Sequence, residues 1–179
     1  AGLTAWLAIP LVLLLPAYLA LFPALTFWLT GRLTRKAGQS PHKTRVELLR
    51  WLVIFPALWT LTECLRGWLF TGFPWGEIGY SQITESPLAG YAPLLGIHGV
   101  TLIVAWFAGL LSFCPQLAKL NLRQSALVAV AALAVVFIAF GTWSKQYQWT
   151  TPVGPSIRVA LAQGNIPQSM KWKPEAFSA

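Results

Sequence analysis

Charged side chains are scarce in this chain of 179 residues. They form 10% of the sequence, whereas an ordinary soluble domain has about 25%. Aspartate is absent, and five glutamates face 13 basic residues. Because so few charges cannot cover the surface of a soluble domain, the composition excludes an ordinary soluble globular protein. The hydrophobic share of 56% also excludes a disordered chain.

Cysteine and methionine are nearly absent. Cys64 and Cys114 form neither a metal-binding spacing nor a disulfide framework. A reactive cysteine needs a base or a cationic neighbour, so each is interpreted as a small apolar residue at the end of a span. The sequence also lacks an initiator methionine and the basic region of a signal peptide, so we expect an internal fragment.

Apolar runs dominate the rest of the chain. About 20 apolar residues in a helix cross the core of a bilayer. The sequence therefore predicts an α-helical membrane bundle over residues 1–145. Its predicted spans are residues 3–29, 46–64, 91–113 and 125–143. In the third span, Ala105 and Gly109 have the small-xxx-small spacing that permits close helix contact.

Two segments do not fit the pattern of a span. Residues 65–90 are rich in glycine and aromatic residues, which predicts an interfacial or re-entrant segment. The composition of residues 146–155 predicts a linker. After it, apolar residues alternate over 156–163, which predicts a strand that needs partners outside this chain segment.

The net charge of +8 is explained by topology. Residues 32–50 carry six basic residues and one acid, whereas residues 65–90 carry one arginine and two glutamates. Because positively charged loops stay in the cytoplasm, the first loop is predicted inside and segment 65–90 outside. Residues 144–179 are then outside as well. A nucleic-acid-binding function would need clustered basic residues on a soluble fold, which the sequence does not have.

Three ionisable residues are candidates for chemistry. His98 lies in the third span, where a buried and hydrogen-bonded histidine of a helix interface is the simpler interpretation. Glu63 and Arg66 are three residues apart, so they are able to pair on one helix face. Ionisable residues at membrane depth suggest a functional site, but near the interface a structural pair is the simpler interpretation.

The glycine-aromatic segment 67–80 has two interpretations. It is either an interfacial belt that anchors the bundle or a mobile lid. In a lid, the glycines and Pro74 would act as hinges, and the tryptophan and phenylalanine rings would bind acyl chains. Both interpretations give the same location and differ in whether the segment moves.

Three stretches of sequence carry a family resemblance. They are residues 58–68 (LWTLTECLRGW), residues 71–75 (TGFPW) and residues 79–82 (GYSQ). With the tail at 159–172 (VALAQGNIPQSMKW), they resemble apolipoprotein N-acyltransferases of the bacterial inner membrane. This resemblance covers nearly the whole chain.

The resemblance implies an acyltransferase with eight membrane helices and a periplasmic nitrilase-like α/β domain. Residues 156–179 would begin that domain, and its Glu-Lys-Cys triad would follow residue 179, leaving no catalytic residue in this chain. The resemblance implies a phospholipid acyl donor, an apolipoprotein acyl acceptor, membrane lipids as partners, and neither cofactor nor metal.

One short run is similar to a catalytic motif of the family. Residues 172–175 (WKPE) are similar to its Trp-Pro-Glu motif. The run has one extra residue and follows the predicted opening strand directly, which is too early in the domain. Glu175 is therefore not assigned as the catalytic base.

Four aromatic residues are candidates for contact with lipid substrate. Trp75, in the Gly-Phe-Pro-Trp motif, and Trp172, after the predicted strand, match positions that the family links to activity. Phe73 lies in the same motif run as Trp75, and Tyr80 lies in the run 79–82. The alternative for each residue is an anchoring aromatic side chain.

Two rival functions remain open. A transporter or channel subunit would use segment 65–90 as a re-entrant element, but such a protein should show inverted repeats and charges inside the membrane. The four spans share no motif, and their charges lie at the ends. A structural membrane anchor for a periplasmic enzyme is the other rival, and it would need no hinges in the aromatic segment.

Overall fold

A computed structural model describes residues 4–35, 43–83, 85–117 and 123–163. Its α-helices are α1 (Ala5–Arg35), α2 (Lys43–Leu49), α3 (Phe55–Arg66), α4 (Ala92–Leu117) and α5 (Arg123–Gln146). A π-helical turn, Arg50–Ile54, joins α2 to α3, and three 3₁₀ turns lie between α3 and α4: Leu69–Thr71, Ile78–Gln82 and Pro87–Tyr91.

Four helical runs in the described residues are long and apolar enough to cross a membrane. They are Trp6–Arg35, Val46–Arg66, Pro87–Phe113 and Val128–Gln146. Large apolar side chains on the outside of these runs are exposed, for example Leu13 at 60% and Leu111 at 71%. Such a surface suits lipid and not water. The prediction of four helices that are long and apolar enough to cross a membrane is therefore confirmed.

The π-helical turn has a local cause in the sequence. Pro56 has no backbone N–H, so it cannot continue the normal hydrogen-bond ladder of the helix. The helix widens one turn earlier, and the Phe55 N–H donates to the Arg50 carbonyl, five residues back. The wide turn places the Trp51 carbonyl against Gly109 of α4, where a Cβ atom would clash with it. This is the close approach that the Ala105–Gly109 spacing predicts.

Helix α4 is broken near its start. Gly96 has φ +66°, a left-handed value that interrupts the helical backbone. After the break, Val100 and Ile103 form a small buried core with Tyr91. The Tyr91 hydroxyl donates to the Phe137 carbonyl at 2.9 Å, which ties the 3₁₀ turn Pro87–Tyr91 to α5.

The chain divides into two units, Ala1–Trp149 and Thr150–Ala179. In the second unit, residues 150–163 contain no helix and no strand, so the strand predicted over 156–163 is not observed. A strand needs a hydrogen-bonded neighbour, and the described residues of this chain contain none. The three alternating apolar side chains are accordingly 71–95% exposed: Ile157, Val159 and Leu161.

Candidate functional site

Three charged side chains are buried in the described part of the chain, and they lie at or after the end of α3. Glu63, Arg66 and Glu77 have exposed fractions of 6%, 8% and 3%. With His98 and Thr101 of α4, they form what we call the polar cluster. Burying a charged group is costly unless hydrogen bonds or opposite charges compensate for it. The partners of each member therefore show how its burial is compensated.

Glu63 is the best-connected member of the polar cluster. Its Oε1 accepts hydrogen bonds from Trp59 Nε1 at 3.0 Å and from the backbone N–H of Ile78 at 3.1 Å. Its Oε2 accepts from the Thr101 hydroxyl at 2.9 Å. Glu63 therefore connects α3, α4 and the turn that follows Trp75.

Thr101 extends this connection to the next residue of the turn. Its side chain is fully buried, and its Oγ1 accepts from the backbone N–H of Gly79 at 3.2 Å. A Cβ atom on Gly79 would lie 2.7 Å from the Ile97 carbonyl oxygen, so only glycine permits this approach to α4 without a shift. The turn is thus held against α4 and α3 at two consecutive backbone N–H groups.

Arg66 binds the turn from the other side. Its Nη1 donates to the Trp75 carbonyl at 2.9 Å, and its own carbonyl accepts from the Phe73 N–H at 2.9 Å. The predicted ion pair between Glu63 and Arg66 is absent among the described residues, so that prediction is wrong. The two side chains bind different backbone groups of the same turn instead.

Glu77 and His98 face each other with an incomplete contact. The distance from His98 Nδ1 to Glu77 Oε2 is 3.7 Å, too long for a hydrogen bond, and both atoms are buried without a partner. The prediction of a hydrogen-bonded histidine is therefore not met at Nδ1. Burial raises the pKa of the Glu77 carboxyl, and Glu63 adds to the increase, whereas His98 and Arg66 oppose it.

The aromatic segment has a fixed part and a projecting part. Residues 75–79 are bound by the polar cluster. In contrast, Trp68 and Phe70 are 81% and 80% exposed, and consecutive positive φ values occur at Phe70 and Thr71. Left-handed backbone at two successive residues other than glycine is strained, and such strain is often found at functional sites.

Three of the four residues that the sequence predicts to contact lipid lie within or beside the bound part of this segment. The Trp75 ring is 74% exposed although its carbonyl is bound by Arg66. Tyr80 is 46% exposed, and Phe73 is half-buried. Trp172 lies outside the described residues.

A stripe of threonines joins α1 to α3. Thr26, Thr30 and Thr34 are buried, and each hydroxyl donates to the carbonyl four residues earlier. The Thr26 hydroxyl is also 2.7 Å from that of Thr62, and Thr34 accepts from Arg50 Nε at 2.8 Å. This stripe holds α1 beside the polar cluster.

A cavity of about 160 Å³ lies between α1, α3 and the turn. Its apolar wall comes from α1, whereas α3 contributes the two charged side chains of Glu63 and Arg66 and the turn contributes Gly76 and Ile78. The polar cluster therefore borders a small space that is apolar on one side and charged on the other.

The arrangement does not support covalent catalysis by the described residues. Cys64 is half-buried, and within the described ranges it makes no hydrogen bond to a histidine, lysine or glutamate side chain. A nucleophilic cysteine needs such a base or a cationic partner. Cys114 belongs to α4, and its side chain lies outside what the structure describes. The polar cluster instead holds the backbone of residues 75–79 in place.

Several members of the site are absent from the sequence-based prediction. Glu77 enters there only as a loop charge, and Thr101 does not enter at all. Two signals were available. The i, i+4, i+8 spacing of Thr26, Thr30 and Thr34 marks one helix face, and Glu77 is one of five acidic residues in the chain.

The helices and the polar cluster together define a multi-pass membrane protein with a buried ionic site at the end of one span. The family model described as "Apolipoprotein N-acyltransferase N-terminal domain" matches residues 1–110. The chain therefore belongs to this family, as the resemblance in the sequence predicts.

Similar proteins carry the same description. The chain is 54% identical to an apolipoprotein N-acyltransferase of Chromobacterium violaceum, over 98% of this chain and 31% of that protein. It is 47% identical to one of Methylococcus capsulatus, over 98% of this chain and 30% of that protein. A relative in Neisseria meningitidis serogroup B is 45% identical over 96% of this chain and 31% of that protein. The chain thus spans about a third of the length of these relatives.

Proposed function

We propose that this chain is the membrane platform of a phospholipid-dependent apolipoprotein N-acyltransferase. The observation that carries the proposal is the buried polar cluster, which fixes the turn around Trp75 while leaving its ring exposed. An enzyme that takes an acyl chain from the membrane needs a surface that meets lipid at the level of the ester groups. Names of the relatives support the same acyl-transfer activity.

The reaction has two steps, both catalysed by a triad expected after residue 179. A cysteine thiolate attacks an ester carbonyl of the phospholipid, forming a thioester and releasing lysophospholipid. The α-amino group of the apolipoprotein's N-terminal diacylglyceryl-cysteine then attacks the thioester, which releases the catalytic cysteine. A glutamate acts as the base, and a lysine stabilises the oxyanion.

The proposed topology places the protein in the bacterial inner membrane. The loop that follows α1 is cytoplasmic because of its positive charge, and the polar cluster lies at the periplasmic side. Residues 146–155 are a linker, and residues 156–179 begin a periplasmic nitrilase-like domain. Its sheet would supply the partners that residues 156–163 need to form a strand.

Four aromatic side chains are proposed to lie next to lipid substrate: Trp75, Trp172, Phe73 and Tyr80. The exposure of Trp75 and Tyr80 supports this role for that described pair, because exposed aromatic rings are costly in water and favourable at a membrane interface. If part of the segment acts as a lid, the projecting residues 68–71 are the part that moves. The bound turn is then its fixed base.

Acyl transfer by the full-length protein tests the proposal. We expect the purified protein in phospholipid vesicles to move an acyl chain to a synthetic diacylglyceryl-cysteine peptide, detected by mass spectrometry. Trp75→Ala and Trp172→Ala should slow the transfer while membrane insertion stays normal. A chain ending at residue 179 should be inactive, with Cys64 and Cys114 unacylated. Acyl transfer by that shorter chain would contradict the placement of the triad.

A further inference from the structure

Three side chains, two of them charged, hold the backbone of one short turn. Arg66 binds the Trp75 carbonyl, Glu63 binds the Ile78 N–H, and Thr101 binds the Gly79 N–H. Two of these three side chains are ionisable and more than nine-tenths buried. Burying an arginine and a glutamate is costly, so these residues are not expected where a fold needs only a connection between α3 and α4.

The backbone of Trp75 is restricted from both sides. Pro74 fixes its own φ and restricts the residue before it. Gly76, on the other side, has φ +73° and turns the chain sharply. Between them, the Trp75 carbonyl is held at 2.9 Å by the guanidinium of Arg66. The ring itself is 74% exposed, so neighbouring side chains do little to hold it, and its backbone fixes where the side chain begins.

Arg66 is suited to this task. It is the last residue of α3, so the start of its side chain is fixed by a helix. Its carbonyl also accepts from the Phe73 N–H, so Arg66 contacts the segment on both sides of Pro74. A hydrogen bond from a charged donor is stronger than a neutral one, so this contact is able to hold the turn.

We infer that Arg66 is a positioning residue for phospholipid binding, because it fixes the exposed Trp75 ring at the depth where the lipid's glycerol esters lie. This inference rests on the proposed function, since the ring is taken to contact the acyl donor. Arg66 itself does not touch the reacting atoms. Its removal therefore weakens the binding of phospholipid and leaves the chemical steps unchanged.

The test uses the full-length protein labelled with 5-fluorotryptophan, in nanodiscs of ether-linked phosphatidylcholine. Ether-linked lipids have no carboxylic ester bond and cannot donate an acyl group, so the mole fraction of added ester-linked phosphatidylethanolamine sets the donor concentration. The ¹⁹F resonance of Trp75 is the one that disappears in Trp75→Phe. The variants are Arg66→Met, which removes the donor, and Arg66→Lys, which keeps a positive donor.

We expect Arg66→Met to shift and narrow the Trp75 resonance, because the ring moves more freely. The KM for phosphatidylethanolamine should rise about tenfold, the change produced by about 1.4 kcal/mol, with kcat within about twofold of wild type. Arg66→Lys should restore most of the wild-type Trp75 resonance and most of the wild-type KM. Arg50→Met is the matched control, since Arg50 lies near the other end of the same helical run and binds Glu47 and Thr34. It should leave the Trp75 resonance unchanged.

Each opposite result overturns the inference. An unchanged Trp75 resonance in Arg66→Met shows that Arg66 does not position the ring. A changed resonance with an unchanged KM, or with a loss confined to kcat, shows that the position does not serve phospholipid binding. If Arg66→Met does not fold, as judged from the other tryptophan resonances, Arg66→Gln takes its place in the comparison.

Failure of the proposed function is distinguishable from failure of this inference. If the wild-type protein transfers no acyl group, the proposed function is wrong. The inference is then decided by adding phosphatidylethanolamine and following the Trp75 resonance in the wild type. A shift that Arg66→Met abolishes supports the inference, and the absence of any shift in the wild type overturns it.

Discussion

The Thr101 hydroxyl donates to Glu63 Oε2 across the α3–α4 interface at 2.9 Å, and the same oxygen of Thr101 accepts from the Gly79 N–H. One buried hydroxyl thus serves as both donor and acceptor between two helices and a turn. Because all three groups are buried, the loss of the hydroxyl leaves a carboxylate oxygen and a backbone N–H without partners.

Thr101→Val should therefore lower the free energy of unfolding by about 1–3 kcal/mol, the cost of unsatisfied buried polar groups. Valine has nearly the same shape as threonine, so packing is preserved. Denaturation of the full-length protein in detergent measures the change. Thr142→Val is the control, because the exposed Thr142 hydroxyl donates to the Ile138 carbonyl of its own helix. An equal effect of both substitutions would mean that the interhelical bond contributes nothing.

A pH-dependent stability is expected from Glu77. Its pKa is raised in the folded protein, so the folded state holds the proton more tightly than the unfolded state. The stability from this proton is complete below the ordinary carboxyl pKa of about 4.3 and is lost as pH rises through the raised value. Glu77→Gln should therefore raise Tm at pH 8, and the gain should shrink toward pH 4.

The matched control for this prediction is Glu85→Gln, because Glu85 belongs to the same segment but is exposed. Its Tm should follow that of the wild type at both pH values. Thermal unfolding of the full-length protein, followed by intrinsic fluorescence, measures Tm for the wild type and for both variants. A Glu77→Gln variant that is less stable than wild type at pH 8 would show that the attraction to His98 and Arg66 outweighs the burial of Glu77.

Gly109→Ala should separate α4 from the π-helical turn. The added Cβ would meet the Trp51 carbonyl, which is backbone and cannot rotate away. We expect a destabilisation of about 1–3 kcal/mol, as for overpacking of a core. Gly31→Ala is the control, since no atom lies within 4 Å of the Cβ that it would add in α1. Equal unfolding midpoints for the two variants would contradict the observed helix contact.

The proposed topology is tested by the two cysteines. Cys64 is expected at the periplasmic face and Cys114 at the cytoplasmic face, separated by a bilayer core about 30 Å thick. In cells with a permeable outer membrane, a charged thiol reagent should label Cys64 and should reach Cys114 only after lysis. Unfolded samples provide the control for burial. Labelling of Cys114 first would invert the bundle and remove the acyltransferase proposal, because its amine substrate is periplasmic.

The sequence predicts the helical bundle well because hydropathy is a property of long runs. Four spans follow from about 20 apolar residues each, without any knowledge of contacts. The strand over 156–163 is not observed for the opposite reason. An alternating pattern shows which face would be buried, but the hydrogen-bonding partners of a strand lie elsewhere in the protein.

The candidate site could be predicted only in part. Spacing places Glu63 and Arg66 on one helix face, but whether they pair depends on the turn that competes for both side chains. Trp75 is recognisable from its motif, whereas the turn that follows it is fixed by contacts between distant residues. Glu63 to Ile78 and Glu63 to Thr101 are such contacts, and no local pattern records them.

The two arginines of the α2–α3 run also limit the thickness of the membrane that this run is able to cross. Arg50 is tied to Glu47 and Thr34, and Arg66 to Trp75, so neither guanidinium is free to move along the bilayer normal. At about 1.5 Å per residue their Cα atoms are no more than about 24 Å apart, less than the usual core of about 30 Å. In a bilayer of the usual thickness we expect this mismatch to favour local thinning beside the α2–α3 run.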